Sequence, residues 1–155
     1  MKITGETFFV DTNVVIAATD RGRASHSAAL QLLGEVPRLG GHLVWSGQVK
    51  REYLVVATRP LAANGLGLAP SSAVENTERF SRLLHLLDEG EHVSRRLHEL
   101  VREYALKGKR IHDANIVATM IEAGLNFLIT DDSTDYRVFD TVRTLHPSDL
   151  VTAIP

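Results

Sequence analysis

The sequence predicts an α/β fold, a three-layer α/β/α sandwich built around a central parallel sheet of four to five strands. Short aromatic and β-branched runs occur at 8–10, 42–45 and 126–129, with a weaker run at 142–145. Such runs are typical of buried strands. Amphipathic stretches separate them, and helical crossovers between strands produce a parallel sheet covered by helices.

Five stretches between these strands carry apolar residues at helical spacing. The predicted helices are 25–34, 47–58, 72–89, a stretch through 97–107, and 111–123. Ser72 and Glu75 have capping-box spacing at the start of the third helix, and we expect Gly90 to end it. Gly108 is expected to end the fourth helix. The segment 59–71, with two prolines and two glycines, is predicted to be the one long loop.

The composition predicts one compact domain over residues 1–155. The chain is 44% hydrophobic and 23% charged, which is the balance of a folded domain and not of a disordered one. It has no cysteine, so a disulfide framework, a thiolate metal site and a cysteine nucleophile are excluded. No uncharged stretch is long and regular enough to span a bilayer, and no secretory signal opens the chain. We therefore expect a cytoplasmic protein with no membrane contact.

Carboxylates follow two of the predicted strands directly. Asp11 comes after the first strand, and Asp131, Asp132 and Asp135 come after the third. The carboxyl ends of parallel strands lie at one edge of a sheet, where ligands bind in folds of this class. The sequence thus predicts that these acids converge.

Two more acids are predicted to join them from helices. Glu52 and Asp113 each lie three or four residues from apolar positions of the same helix, so they share a face with the core. A carboxylate there needs a partner, because desolvating an unpaired charge is costly. Several acids gathered at one place would stay ionised only around a divalent cation, and oxygen ligands favour Mg²⁺ or Mn²⁺. Metal-assisted phosphodiester hydrolysis is the chemistry that such a site suits.

Each of these acids also has a purely structural interpretation. Asp11 could cap the next helix, and Asp113 could be an acid in a first helical turn. Glu52 could pair with Lys50 or Arg51 on a solvated face. It is the set of four places together that favours a functional site.

Four short blocks of residues stand in order along the chain. They are 9–16, Ser46 with Glu52, 111–118 and 128–136, and His146 with Pro147 follows them. In this order and spacing the blocks resemble the PIN-domain family of metal-dependent ribonucleases, most closely the VapC-type toxins of bacterial toxin–antitoxin pairs. The resemblance spans nearly the whole chain and implies a single PIN domain.

The resemblance implies roles for the residues of these blocks. The implied catalytic residues are Asp11, Glu52, Asp113 and Asp132, and the implied metal ligands are these four together with Asp135. The implied site-shaping residues are Thr12, Asn13, Ser46 and Thr130. The fourth block commonly has one residue between its two acids, whereas Asp132 and Asp135 have two between them. We expect Asp132 to approach the metal, with Asp135 in the outer part of the site and Asp131 a loop acid.

A basic segment precedes the third block and is a candidate RNA-binding surface. The segment runs from Arg95 to Arg110, and its candidate contacts are Lys107, Lys109 and Arg110, with His112 at the start of the third block as a further candidate. They could hold phosphates beside Asp113, although a solvated helix face is the simpler interpretation. The net charge of −2 does not exclude RNA, since bound cations would offset the site carboxylates.

The first functional hypothesis is a Mg²⁺- or Mn²⁺-dependent endoribonuclease toxin that hydrolyses RNA phosphodiester bonds. The resemblance further implies a cognate antitoxin that inhibits it, and a homodimer. The alternative is a catalytically inactive PIN-like module that binds RNA or protein. A small-molecule phosphohydrolase is disfavoured, because residue 13 is Asn where that chemistry would use a second Asp.

Overall fold

A five-stranded parallel sheet forms the centre of the molecule, as the computed structural model of residues 1–154 describes it. The strands are β1 (Thr7–Val10), β2 (His42–Ser46), β3 (Leu84–Leu87), β4 (Phe127–Ile129) and β5 (Arg143–Leu145). Their order is β3-β2-β1-β4-β5, and every neighbouring pair is parallel. The predicted parallel sheet of four to five strands is confirmed.

Seven α-helices flank the sheet. They are α1 (Thr12–Thr19), α2 (His26–Arg38), α3 (Gly47–Thr58), α4 (Pro70–Phe80), α5 (Glu91–Glu103), α6 (Arg110–Glu122) and α7 (Pro147–Thr152). Helix α1 packs on both α2 and α3, α4 packs on α3, and α7 packs on α2, while α5 and α6 pack on each other. This is the predicted α/β/α arrangement. Within residues 1–154, no helix has the length and apolar character needed to cross a bilayer.

The order of the strands indicates where on the sheet a ligand-binding site is expected. The chain moves from β1 outward through β2 to β3, and then returns to the other side of β1 to form β4 and β5. The order therefore reverses between β1 and β4, and ligands bind at such a point beyond the carboxyl ends of the strands. Phe8, Phe9 and Val10 are fully buried, which fixes the end of β1 at the centre of the sheet.

Two of the predicted helices differ clearly from the observed ones. The helix expected to run from Ser72 to Gly90 is instead α4, which begins at Pro70 with no side-chain cap and ends at Phe80, followed by strand β3. Helix α5 ends at Glu103, ahead of the predicted stop at Gly108, because Ala105 adopts a left-handed conformation with φ 49°. The predicted long loop 59–71 also contains a short 3₁₀ turn, Leu61–Ala63, and the first residues of α4.

Candidate active site

Asp11 lies at the carboxyl end of β1, where it is only 7% exposed. Its Oδ1 accepts a hydrogen bond from the Thr12 backbone N–H at 2.7 Å and so caps α1. Its Oδ2 accepts hydrogen bonds from the hydroxyls of Thr130 at 2.8 Å and Tyr136 at 3.2 Å, and from Asn13 Nδ2 at 3.3 Å. The helix cap considered as a structural alternative is thus present, but four donors in all converge on this carboxylate.

The surroundings of Asp11 favour its neutral form despite these donors. Burial raises the pKa of Asp11 to about 6, and the Glu52 charge raises it further, while the bonds from Thr130, Thr12 and Tyr136 oppose the shift. Burial and the negative charge of Asp11 also raise the pKa of the Tyr136 phenol, so Tyr136 remains a hydrogen-bond donor. A buried carboxylate with this pKa gains from a nearby positive charge.

Glu52 is connected to Asp11 through Thr12. The Thr12 hydroxyl donates a hydrogen bond to Glu52 Oε2 at 2.6 Å, while the Thr12 backbone N–H binds Asp11. On the other carboxylate oxygen, Gln48 Nε2 donates to Glu52 Oε1 at 2.8 Å. Ser46 precedes α3 as its N-cap and accepts a bond from the Val49 N–H at 3.5 Å, which sets the start of the helix that carries Glu52.

Gln48 joins helices α3 and α6. Its Nε2 donates to the His112 backbone carbonyl at 3.0 Å as well as to Glu52, so both amide hydrogens are used. Its Oε1 accepts from Asn115 Nδ2 at 2.7 Å. Glu89, just beyond β3, accepts from Asn115 Nδ2 at 2.8 Å and from the Gln48 backbone N–H at 2.8 Å. This network fixes Glu52 relative to the first turn of α6.

Asp113 lies in that first turn of α6, where the charges of the other acids act on its carboxylate. Burial raises the pKa of Asp113 to about 6, and the charges of Asp135, Asp11 and Glu52 raise it further, whereas Arg110 lowers it. Arg110 Nε lies 3.8 Å from Asp113 Oδ2. Four carboxylates from α3, α6, the end of β1 and the loop after β4 therefore form one region of mutual repulsion.

The three acids after β4 have different surroundings. Asp131 points to α2 and α7, because its Oδ2 accepts from Ser25 Oγ at 2.6 Å and its Oδ1 lies 3.5 Å from His146 Nε2. Asp132 is exposed, and its Oδ1 accepts from the Thr134 N–H at 3.0 Å. Asp135 is half-buried and is the acid of this loop whose charge acts on Asp113.

Asn13 and Thr130 connect this loop to the start of α1. Asn13 Nδ2 donates to Thr130 Oγ1 at 3.0 Å, and Asn13 Oδ1 accepts from the Asp131 backbone N–H at 3.0 Å. Thr130 Oγ1 in turn accepts from the Asp132 N–H at 3.1 Å. Neutral side chains thus hold together two segments that each carry acids.

The basic segment lies on the approach to α6. Lys107, Lys109 and His112 are exposed. Arg110 differs from them, since its Nη2 donates to the Asp135 backbone carbonyl at 3.0 Å and its Nε faces Asp113. Arg110 therefore contacts the acidic site itself.

Sequence reasoning missed Gln48, Glu89, Asn115 and Tyr136. Gln48 and Asn115 are neutral amides, and a search for converging charges does not select them. Glu89 would have been found only by recognising β3, because it then follows a strand end as Asp11 does. Tyr136 stands beside Asp135 in the fourth block, and its hydroxyl was the only signal.

The donor set fits a hard divalent cation, although it is not assembled as a finished cage. Among residues 1–154, no three His, Asp or Glu side chains are grouped as a metal-binding cluster. The acids are instead separated by hydroxyl and amide groups, such as Thr12 between Asp11 and Glu52. Carboxylate oxygens are the ligands that Mg²⁺ and Mn²⁺ prefer, and a cation would relieve the repulsion that raises the pKa of Asp113.

Comparison with known proteins identifies the family to which this chain belongs. A model of the PIN domain matches residues 8–140, which is most of the chain. The chain therefore belongs to the PIN domain family.

Within that family, the chain is similar to Ribonuclease VapC48 of Mycobacterium tuberculosis. The two are 34% identical over 149 residues, covering 92% of this chain and 97% of VapC48. Two solved structures share the fold. VapC20 of M. tuberculosis, a sarcin-ricin loop cleaving toxin, has a TM-score of 0.64 at 21% identity, covering 85% of this chain and 95% of VapC20. A chain in a toxin–antitoxin complex from Klebsiella pneumoniae has a TM-score of 0.62 at 23% identity, covering 90% of this chain and 96% of that chain.

Proposed function

We propose that this protein is a VapC-like toxin, an endoribonuclease that uses Mg²⁺ or Mn²⁺ to hydrolyse RNA phosphodiester bonds. The observation that carries the proposal is that Thr12 hydrogen-bonds to both Asp11 and Glu52, while Gln48 connects Glu52 to the first turn of α6, where Asp113 lies, at the point where the strand order reverses. The 34% identity to a ribonuclease over nearly the full length of both chains supports it.

Asp11, Glu52 and Asp113 would hold the metal. Asp135 is the fourth acid that the surroundings favour, because its charge raises the pKa of Asp113, whereas Asp132 binds its own loop backbone. When bound, such a cation supplies an activated water molecule and stabilises the charge on the leaving oxygen. From the sequence we expected Asp132, and not Asp135, to approach the metal. RNA cleavage by the Asp132→Asn and Asp135→Asn variants distinguishes the two assignments.

The other residues orient these acids. Thr130, Tyr136 and Asn13 donate to Asp11 Oδ2, so they fix the rotation of its carboxylate. Thr12 and Gln48 each hold one oxygen of Glu52. Arg110 lies near the Asp113 carboxylate and donates a hydrogen bond to the Asp135 backbone carbonyl. Its positive charge therefore limits the repulsion between those two acids. Such orienting partners are needed wherever metal ligands lie on separate elements.

The partners follow from the same likeness. We propose RNA as the substrate, a cognate antitoxin as the inhibitor and a homodimer as the assembled form, all acting in the cytoplasm. The similarity to a ribonuclease supports the first, and the similarity of the fold to a chain in a toxin–antitoxin complex supports the second. The exposed Lys107, Lys109 and His112 remain candidate phosphate contacts near Asp113.

The test is cleavage of a pool of structured RNAs by the purified chain, with and without Mn²⁺, compared with Asp11→Asn and Asp113→Asn. We expect metal-dependent cleavage by the parent chain and none by either variant. Far-ultraviolet circular dichroism checks that both variants are folded. Full activity in both variants would refute the proposal.

A second candidate is a catalytically inactive PIN-like module that binds RNA or protein. The observation that favours it is that Thr12 hydrogen-bonds to both Asp11 and Glu52, so these two acids already have partners within the fold. Titration with Mn²⁺ separates the two candidates, because a ligand that binds only the folded state raises Tm by an amount that grows with the logarithm of [Mn²⁺]/Kd. An inactive module would show no rise in Tm at millimolar Mn²⁺ and no cleavage.

A further inference from the structure

A groove of about 340 Å³ adjoins the acidic site on the side of helix α3. Its lining consists of Thr12, Arg51, Glu52, Val55, Val56 and Arg59. This volume falls within the range of ligand pockets, roughly 300–1,000 Å³. Because Glu52 and Thr12 belong both to the groove and to the hydrogen-bonded acidic site, whatever occupies the groove lies next to the acids.

The groove combines positive charge with an apolar surface. Arg51, Val55 and Arg59 follow one another at intervals of four residues, so they form a stripe along α3 and its C-cap. Val55 is 54% exposed, so its side chain offers apolar surface between the two arginines. Two guanidinium groups thus flank an exposed hydrocarbon surface.

These two arginines are available to a ligand. The Arg51 side chain is 72% exposed, and within the described residues 1–154 its single salt bridge is a long one, 4.0 Å to Glu89. Among residues 1–154, Arg59 forms no salt bridge. Arg110, on the other side of the site, already contacts Asp113 and the Asp135 backbone. The guanidinium groups of Arg51 and Arg59, along α3, are therefore the ones that a ligand can reach.

The backbone that carries Arg59 is well fixed. The Gly67 N–H donates to the Arg59 carbonyl at 2.9 Å, and the Leu66 and Leu68 N–H groups donate to the carbonyls of Val56 and Ala57 at 3.0 and 2.9 Å. The segment after α3 thereby satisfies the last carbonyls of the helix. The far end of the groove keeps its shape without a ligand.

We propose that this groove binds the single-stranded RNA that flanks the scissile phosphate. Arg51 and Arg59 contact backbone phosphates, and Val55 with Val56 packs against ribose and base. Charge complementarity selects the occupant, since two arginines in line with the acidic site match a polyanion that has to reach Glu52. The inference rests on the proposed ribonuclease function and adds the location of the flanking nucleotides.

The experiment measures the binding of a short fluorescently labelled single-stranded RNA of mixed sequence by anisotropy, at several salt concentrations. All proteins carry Asp11→Asn so that the RNA stays intact. Arg51→Ala with Arg59→Ala is compared with Val55→Glu, which places a negative charge between the two arginines, and with Arg82→Ala. Arg82 is exposed and lies outside the groove, so it serves as the matched control.

We expect the double arginine variant to bind RNA roughly tenfold more weakly at low salt. The slope of the logarithm of the binding constant against the logarithm of the salt concentration should become shallower by about 0.7 for each lost phosphate contact. Val55→Glu should weaken binding as well, and Arg82→Ala should leave it unchanged. Parent-like affinity in the double variant, or an equal loss in Arg82→Ala, overturns the proposal. Unchanged RNA affinity with weakened antitoxin binding would assign the groove to the protein partner and also overturn it.

Cleavage by the chain without Asp11→Asn is measured in parallel with Mn²⁺. If the parent chain cleaves RNA and the groove variants bind RNA normally, only the proposed binding of RNA in the groove is refuted. A chain that does not cleave RNA under any of these conditions refutes the proposed function.

Discussion

Gln48 and Glu52 lie one turn apart on helix α3, and the Gln48 side-chain amide donates a hydrogen bond to Glu52 Oε1 at 2.8 Å. The second hydrogen of the same amide binds the His112 carbonyl on α6, one residue before Asp113. Gln48 is 5% exposed. A single neutral side chain therefore sets the spacing between two candidate metal-binding helices.

Replacing Gln48 by leucine should weaken metal binding more than it harms the fold. The substitution removes both donors, so Glu52 keeps its bond from Thr12 on Oε2 but loses the partner that fixes Oε1 and the link to α6. Loss of such an orienting partner lowers metal affinity by about 10–100-fold. The measurement is the Mn²⁺ concentration needed for half of the rise in Tm. Gln31→Leu, at an exposed position of α2, is the control. Equal Mn²⁺ midpoints in the two variants would contradict this role of Gln48.

Stability without metal should fall as pH rises from about 4 to about 6. The pKa of both Asp11 and Asp113 is raised to about 6 in the folded chain, from 3.8 in the unfolded one. The folded state thus binds these protons more tightly, and the stability that they contribute is full below pH 4 and is lost as pH passes 6. For the buried Asp11 alone, this amounts to about 3 kcal/mol.

Urea unfolding in the presence of a chelator measures this change, and Asp11→Asn should show a smaller dependence on pH. Mn²⁺ competes with the same protons, so the rise in Tm that it causes should grow above pH 6. A parent chain whose stability is constant between pH 4 and 6 would contradict the buried state of these acids.

Asp135→Asn should reduce RNA cleavage more than Asp132→Asn. Asp135 acts electrostatically on Asp113, whereas Asp132 is exposed and its carboxylate oxygen caps the following turn. Asparagine retains an oxygen for that cap, so Asp132→Asn should stay folded with most of its activity. The ratio of kcat/KM values decides, and a larger loss in Asp132→Asn would restore the order expected from sequence.

Gly65→Ala should destabilise the protein by about 2 kcal/mol. A Cβ at this position would lie 2.0 Å from the Arg59 carbonyl oxygen, so the loop that closes on α3 has to move. Gly34→Ala is the matched comparison, since a Cβ there meets no atom within 4 Å and α2 is an exposed helix at that position. It should stabilise by up to about 1 kcal/mol. Urea midpoints that move in the same direction would contradict this expectation.

The central strands could be predicted because their residues are buried on both faces. Phe8, Phe9, Leu43, Leu128 and Ile129 are all fully buried, and a continuous apolar run is the pattern that such strands require. Once β1 and β4 are recognised, the positions of Asp11 and Thr130 follow from topology. This is why the main acids could be named from sequence.

Strand β3 could not be predicted in the same way. It lies at the edge of the sheet, and of its four residues only Leu84 is fully buried. Phe80, Leu84 and Leu87 are spaced as on a helix face, and only the pairing with β2 decides their conformation. The missed strand also concealed Glu89, and with it the network through Gln48 and Asn115.

The hydrogen bond between Thr130 and Asp11 joins residues 119 positions apart in the chain. During synthesis, Asp11 leaves the ribosome early and stays without Thr130 and Tyr136 until nearly the whole polypeptide has followed. Contacts of such long sequence separation slow folding, because the intervening chain has to be closed into a loop before they can form. A polypeptide released before residue 130 contains Asp11, Glu52 and Asp113 but lacks Thr130 and Tyr136, so the two hydroxyls that orient the Asp11 carboxylate are missing from it.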